Sequence, residues 1–242
     1  MPKTHTPPSG PAEVGHTHAD VSGGALRASV FGAMDGLVTN IALVAGVGAA
    51  GASPHFVILT GLSGLVAGAF SMAMGEWTSV RTQNEQVHRE WEKETEELRS
   101  NPEAEEAELA EMLEEMGMSA GTAETASREI HFDLERAALV HVTHELGMDP
   151  RELPSPNVAA VSSFVMFAIG AIVPLIPYLL GFNSLFAALG LGGLGLLVAG
   201  GLASLATVVP WWLSALRQLA FGAVAAGATY VIGMALGVGV VG

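Results

Sequence analysis

The sequence predicts an all-α polytopic membrane protein with five transmembrane helices and a three-helix cytoplasmic domain inserted between the second and the third. Three observations predict it. Of 242 residues, 50% are hydrophobic and 14% charged, whereas a soluble domain usually carries about a quarter charged. Five apolar runs are long enough to cross roughly 30 Å of hydrocarbon, which takes about 20 helical residues. The charge is also segregated. Residues 85–149 hold 19 of the 24 Asp and Glu but 5 of the 10 Lys and Arg, so they carry the whole net charge of −14 and the remainder is neutral. Such an acidic balance excludes a nucleic-acid partner, whose phosphates demand lysine and arginine. The absence of cysteine excludes disulfides, thiolate zinc sites and cysteine nucleophiles.

The chain divides into a tail (1–24), transmembrane helices 1 and 2 (25–81), an acidic helical domain (82–150) and transmembrane helices 3 to 5 (151–242). The tail is rich in Pro, Gly, Thr and His and reads as disordered rather than as a secretory leader. His5, His16 and His18 are assigned to that unstructured tail rather than to a metal site. The apolar runs are 28–50, 56–75, 158–180, 182–209 and 219–242. Gly64 and Gly68 are spaced for close helix packing. Pro174 and Pro177 should kink the third span. Orientation follows from the basic residues. With the amino terminus in the cytoplasm, the turns at 51–55 and 181 face outward without Lys or Arg. Every basic residue then lies inside, Arg217 just before the fifth span, with Trp211 and Trp212 as an interfacial anchor. The cell membrane is the expected location.

The acidic segment reads as three helices. The first continues out of the second span, since neither Gly nor Pro interrupts it before Asn101-Pro102. Asn is a good N-cap and Pro a good first helical residue, so a second helix runs from there to Met116, and Gly117 stops it. A third starts at Ser119 or Thr122 and ends at Leu146 before Gly147. Leu109, Met112, Leu113 and Met116 give one apolar stripe, and Ile130, Leu134, Ala137, Ala138 and Val142 another.

Residues three apart share a helix face, so Glu94 pairs with Glu97 and Glu105 with Glu108 on either side of the Asn101-Pro102 break. Converging carboxylates without bases repel by about 4 kcal/mol per pair at 4 Å and an effective dielectric of 20. A divalent cation relieves that repulsion. His141, His144 and Glu145 lie on the third helix, and imidazole beside carboxylate favours a transition ion over Ca2+ or Mg2+. His131, Asp133 and Glu135 are assigned to the surface rather than to a secondary metal site.

Asp35 differs in kind. It is the one carboxylate inside an apolar run, with Glu76 at the edge of the second. An intramembrane charge costs several kcal/mol unless it is paired or meets water, which makes Asp35 a transport-pathway candidate. Met34 precedes it, and Met72 lies one turn from Glu76. Carboxylate with thioether forms a partly soft site for a transition ion that must also leave.

Met34-Asp35-Gly36-Leu37, Ser71-Met72-Ala73-Met74-Gly75-Glu76 and Leu153-Pro154-Ser155-Pro156, with the acidic insert after the second span, resemble the vacuolar iron transporter family over residues 25–242. The resemblance implies a five-helix homodimer in the bilayer. It would export Fe2+, and other divalent ions such as Mn2+, from the cytosol in exchange for protons. Its pore would lie between protomers, lined by the first helices. By position it implies metal binding at Glu94/Glu97, Glu105/Glu108 and Glu145, and pore roles for Asp35 and Met72. Plant members carry methionines where this chain has His141 and Val142, so imidazole replaces thioether here and Co2+ and Zn2+ join the candidate cargoes. The alternatives are a membrane-tethered ferroxidase using the carboxylates with His141 and His144, and a metal-sensing module. The sensor leaves Asp35 unexplained.

Overall fold

A computed structural model describes residues 24–147, 149–206 and 209–237, the side chain of Ala206 excepted. The tail and its histidines lie outside the described residues. Among the described residues nine α-helices follow in order: α1 Gly24–Ala49, α2 Pro54–Ser100, α3 Pro102–Glu115, α4 Ala120–His131, α5 Leu134–Leu146, α6 Pro156–Ile172, α7 Ile176–Leu179, α8 Leu185–Ala203 and α9 Trp211–Gly237. Five helical stretches are long and apolar enough to cross a membrane: α1, the first part of α2, α6 with α7, α8 and α9.

Small residues let these helices press together. A Cβ at Gly36 would strike the carbonyl oxygen of Phe167, and one at Gly170 that of Ala33, so α1 and α6 touch backbone to backbone. Gly64 and Gly68 serve packing within the chain, for their Cβ atoms would meet Leu43 and the Phe167 ring. Asn40, fully buried, ties three helices together: its side-chain amide donates to the carbonyls of Gly61 (3.2 Å) and Ala171 (2.6 Å). Pro174 and Pro177 convert the end of the third span into a 3-10 turn, Val173–Leu175, followed by the short α7.

Two span boundaries move from their expected places. The fourth helix stops at Ala203 and tightens into a 3-10 turn at Ser204–Ala206, well before residue 209. The fifth begins at Trp211, behind Pro210, whose carbonyl accepts from the amides of Leu213 and Ser214. Arg217 therefore lies within α9 rather than before it. The residues from Trp211 to Gln218 are helix-competent although they are not a continuous apolar run.

α2 runs unbroken for 47 residues, about 70 Å at 1.5 Å per residue, and so carries the membrane part rigidly into the acidic domain. Its junction with the start of α6 is pinned by polar contacts. Trp77 Nε1 donates to Asn157 Oδ1 (2.9 Å), and Asn84 Nδ2 to the Pro154 carbonyl (3.0 Å).

The acidic domain departs from the expected three helices. The predicted helix from residue 119 or 122 to 146 is two, α4 and α5, broken at Phe132-Asp133. Asp133 causes the restart: its carboxylate accepts from the amides of Glu135 (3.0 Å) and Arg136 (3.1 Å), an N-cap. The break lets both halves pack. Leu98, Ala137 and Ala138 with Trp91 make one core, and Leu109, Leu113 and Ala123 with Met112 and Val140 the other, while Ile130 touches both. Asn101 starts α3 through its backbone carbonyl, which accepts from Ala104 and Glu105, and its side chain makes no cap bond.

Candidate metal site and membrane pathway

Glu94 occupies a core position of α2. The buried residues along its part within the acidic domain are Val87, Glu94 and Leu98, an apolar stripe with an acid inserted. α3 repeats the device with Glu105 one turn before Leu109, and α5 with His141 beside Ala137, Ala138 and Val142. Three helices thus turn three ligand-type side chains inward, and all three are buried. One ligand atom from each lies within 4.8 Å of the others.

His141 Nδ1 is 2.9 Å from Glu94 Oε1 and 3.8 Å from Glu105 Oε2. The closer approach lacks hydrogen-bond geometry. Glu94 Oε1 and both ring nitrogens of His141 are buried without a hydrogen-bond partner among the described residues. An unpaired buried polar atom costs about 1–3 kcal/mol, so orphaned atoms facing one another are costly unless something fills the space between them. Two donors on one divalent ion, each at about 2.0–2.2 Å, stand roughly 3 Å apart. The His141–Glu94 pair stands at that spacing, 2.9 Å, and Glu105 is wider at 3.8 Å from the ring.

The electrostatics agree. Burial, and then the charges of Glu105, Glu145, Glu97 and Glu108, push the Glu94 carboxyl up to about 7. Glu105 is raised by burial and by Glu108, Glu97 and Glu145, and Glu145 by burial and Glu108 above all. Burial, with His131 and His144 nearby, lowers His141 to about 4, which keeps its imidazole neutral and available as a donor. The remaining expected ligands sit farther out. Glu97 is half-buried and paired with Lys93 at 3.7 Å, while Glu108 and Glu145 are exposed. His144 is exposed and lines an apolar cavity of about 370 Å3 with Leu109, Met112 and Met116, apart from the triad.

His131, assigned from sequence to the surface, is half-buried and packs edge-to-face on His141, 5.4 Å between ring centroids and 86° between planes. Its signal was position: Ala123, Ser127 and His131 lie four apart on α4, and the first two are fully buried.

In the membrane part, Asp35 is exposed on α1, with Thr39 Oγ1 donating to it at 3.4 Å. Arg27, Phe31 and Asp35, spaced by four, form a stripe on α1 that is exposed among the described residues, although Arg27 reaches Glu76; Phe31 is 63% exposed. Met34 is half-buried. Glu76 is paired with Arg27, Nη2 to Oε2 3.1 Å. Met72 packs beside Phe167, Ala69 and Phe164, whereas Met74 is 68% exposed.

Residues 26–234 match the model of the VIT family. The chain is 31% identical over 169 residues to "Vacuolar iron transporter 1" of Arabidopsis thaliana, covering 68% of this chain and 66% of that protein. It is 36% identical over 168 residues to "Vacuolar iron transporter" of Acanthamoeba castellanii, covering 69% and 60%. With "Vacuolar iron transporter 1" of Oryza sativa it shares 29% identity over 224 residues, covering 89% and 88%. The match therefore spans just under two thirds of the first two relatives and most of the third.

Proposed function

The chain belongs to the VIT family, and on that premise we propose that it is a homodimeric transporter exporting divalent transition ions from the cytoplasm in exchange for protons. Fe2+ is the principal cargo, as the relatives' names state for those proteins, and Mn2+, Co2+ and Zn2+ are chemically admissible. The observation that carries this reading is Asp35: a carboxylate within a 26-residue apolar helix, exposed on its own chain. Facing lipid, that charge would cost several kcal/mol. A second copy laid against the Arg27–Phe31–Asp35 stripe would enclose two such acids in a shared aqueous path.

Each residue then has a task. Glu94, Glu105 and His141 hold the captured ion, and Glu97, Glu108 and Glu145 attract it. Glu76 and Met72, with Met34, pass it along α1 and α2 to Asp35. Asp35 releases a proton when it binds metal and recovers one when the metal leaves. The acidic domain and amino terminus face the cytoplasm. The cell membrane is the proposed location, although the relatives carry vacuolar names.

The test is metal flux in proteoliposomes under an imposed pH gradient. An acidic lumen should accelerate Fe2+ or Mn2+ entry, with matching loss of lumenal protons. Flux indifferent to the gradient would overturn the exchange. Performed without oxygen, the same assay separates transport from ferroxidase chemistry, which would stop.

A further inference from the structure

The ring beside the triad is prepared for a role that spacing alone does not assign. His131 Nδ1 lies 2.8 Å from the carbonyl oxygen of Ser127, one turn earlier on α4. A carbonyl only accepts, so Nδ1 carries the proton and Nε2 of the neutral ring is left as a bare lone pair. That Nε2 is buried and has no hydrogen-bond partner among the described residues. Histidines that ligate metals are held this way, one ring nitrogen donating to a carbonyl or carboxylate while the other points at the ion. The Ser127 hydroxyl is not free to serve His131 well: it donates to the Glu106 carbonyl at 2.6 Å and is 3.5 Å from His131 Nδ1.

The ring's neighbours fit the same role. It stands edge-to-face on His141, whose Nδ1 faces both Glu94 and Glu105. The residue also lines a cleft of about 180 Å3 with Leu98, Pro102, Glu103 and Glu106. The ring thus stands against a triad that supplies three donors, while a transition ion such as Zn2+ commonly takes four.

We propose that His131, through Nε2, is a further ligand of the ion held by Glu94, Glu105 and His141, making the site a centre of two imidazoles and two carboxylates. The three-residue cluster does not include His131, so its ring swings inward as the ion binds. This inference rests on the reading of Glu94, Glu105 and His141 as ligands. Two nitrogen donors bias the site toward Zn2+, Co2+ and Fe2+ and against Mg2+ and Ca2+.

The experiment uses the purified full-length protein in detergent with less than one equivalent of Zn2+, so that the tightest site fills first. Zinc X-ray absorption counts the imidazoles, and competition with a chelator gives the affinity. The wild type should show two imidazoles. His131→Phe, which keeps a ring against His141, should show one and bind at least about 10-fold more weakly, in the range for losing a residue that supports a metal site. His131→Gln, able to retain a bond to the Ser127 carbonyl, should behave alike. His144→Phe should change neither quantity. A His131→Phe protein with two imidazoles overturns the proposal, whether its affinity falls or not, because the ring would then act by packing. Glu94→Gln and His141→Phe separate this from failure of the underlying reading. If they too leave Zn2+ binding intact, the triad is not the site. If they abolish it while His131→Phe keeps both imidazoles, the fourth ligand alone is refuted.

Discussion

Asp35 and Glu94 are both acids set into apolar patterns, and the two halves of the molecule treat them in opposite ways. Asp35 stands alone on a face of α1 that its own chain leaves uncovered. Glu94 is enclosed, 5% exposed, and crowded by four further acids whose charges reach it. Isolation in an apolar span makes a cation welcome because, among the described residues, the carboxylate has only the Thr39 hydroxyl, 3.4 Å away, to offset its charge. Crowding makes one welcome because several like charges face one another with Lys93 as the one lysine or arginine acting on them among the described residues. The first arrangement suits a site that an ion crosses, where binding must be weak enough to reverse. The second suits a site that gathers ions from dilute solution. On the proposed function the contrast puts capture in the acidic domain and passage in the membrane part, and that division can be broken by experiment.

The largest effect is expected at Asp35. Asp35→Ala should abolish flux in proteoliposomes, to below about 1% of wild type, since an intramembrane acid has no substitute nearby. Metal binding by the acidic domain, measured calorimetrically on the same purified variant, should be unchanged. Loss of both together would mean that the two halves act as one site and would end the contrast. Substantial residual flux would remove Asp35 from the pathway.

A smaller effect is expected at Glu94 and Glu105. Replacing both with Gln removes two charged donors but preserves volume. Affinity should fall by about 10- to 100-fold, the scale on which metal sites respond to losing a supporting residue. Flux should fall at low metal and recover at saturating metal, because passage through Asp35 is untouched. A lowered maximal flux with unchanged affinity would reverse the assignment of the two regions.

Much of this was legible in the sequence, and the portion that was not has a physical reason. Span number, the continuation of α2 and the break at Asn101-Pro102 follow from apolar length and from Gly and Pro, which act locally. The split between α4 and α5 was hidden because an Asp within an acidic helix looks like one more solvated charge, and its capping role depends on backbone geometry. Picking ligands by the Glu-x-x-Glu spacing gave Glu94 with Glu97 and Glu105 with Glu108 equal weight, yet the structure buries only one of each pair. The missing signal was the apolar stripe. An acid in register with Leu98, another with Leu109 and a histidine in register with Ala137 and Ala138 are the residues that packing turns inward. His131 follows the same rule through Ala123 and Ser127. Its contact with His141 is tertiary, and no pattern within α4 alone shows it.

The smallest effect concerns pH, and it separates the crowded region from the isolated one because it belongs to the acidic domain. Folding raises the Glu94 carboxyl from 4.5 to about 7. The folded state therefore holds a proton there that the unfolded chain releases, and stability contributed by Glu94 is lost as pH rises from about 4.5 through 7. Folding lowers His141 from 6.5 to about 4, so its contribution is lost as pH falls from about 6.5 through 4. Between about pH 4.5 and 6.5 the Glu94 and His141 slopes oppose each other, and the raised Glu105 and Glu145 carboxyls add to the Glu94 side, so the unfolding midpoint of the metal-free protein should fall modestly as pH rises. Glu94→Gln should unmask the histidine, so that stability climbs with pH across that window. His141→Phe should unmask the carboxylate, and stability should fall instead. Each slope is at most about 1.4 kcal/mol per pH unit, and thermal unfolding in chelator-treated buffers would resolve its sign. Metal should reverse the balance for the wild type. Binding requires Glu94 deprotonated, so Zn2+ affinity should weaken as pH drops below about 7, with protons released on binding. A Glu94→Gln protein with the same pH profile as wild type would show that the crowding of acids around this carboxyl does not govern the domain.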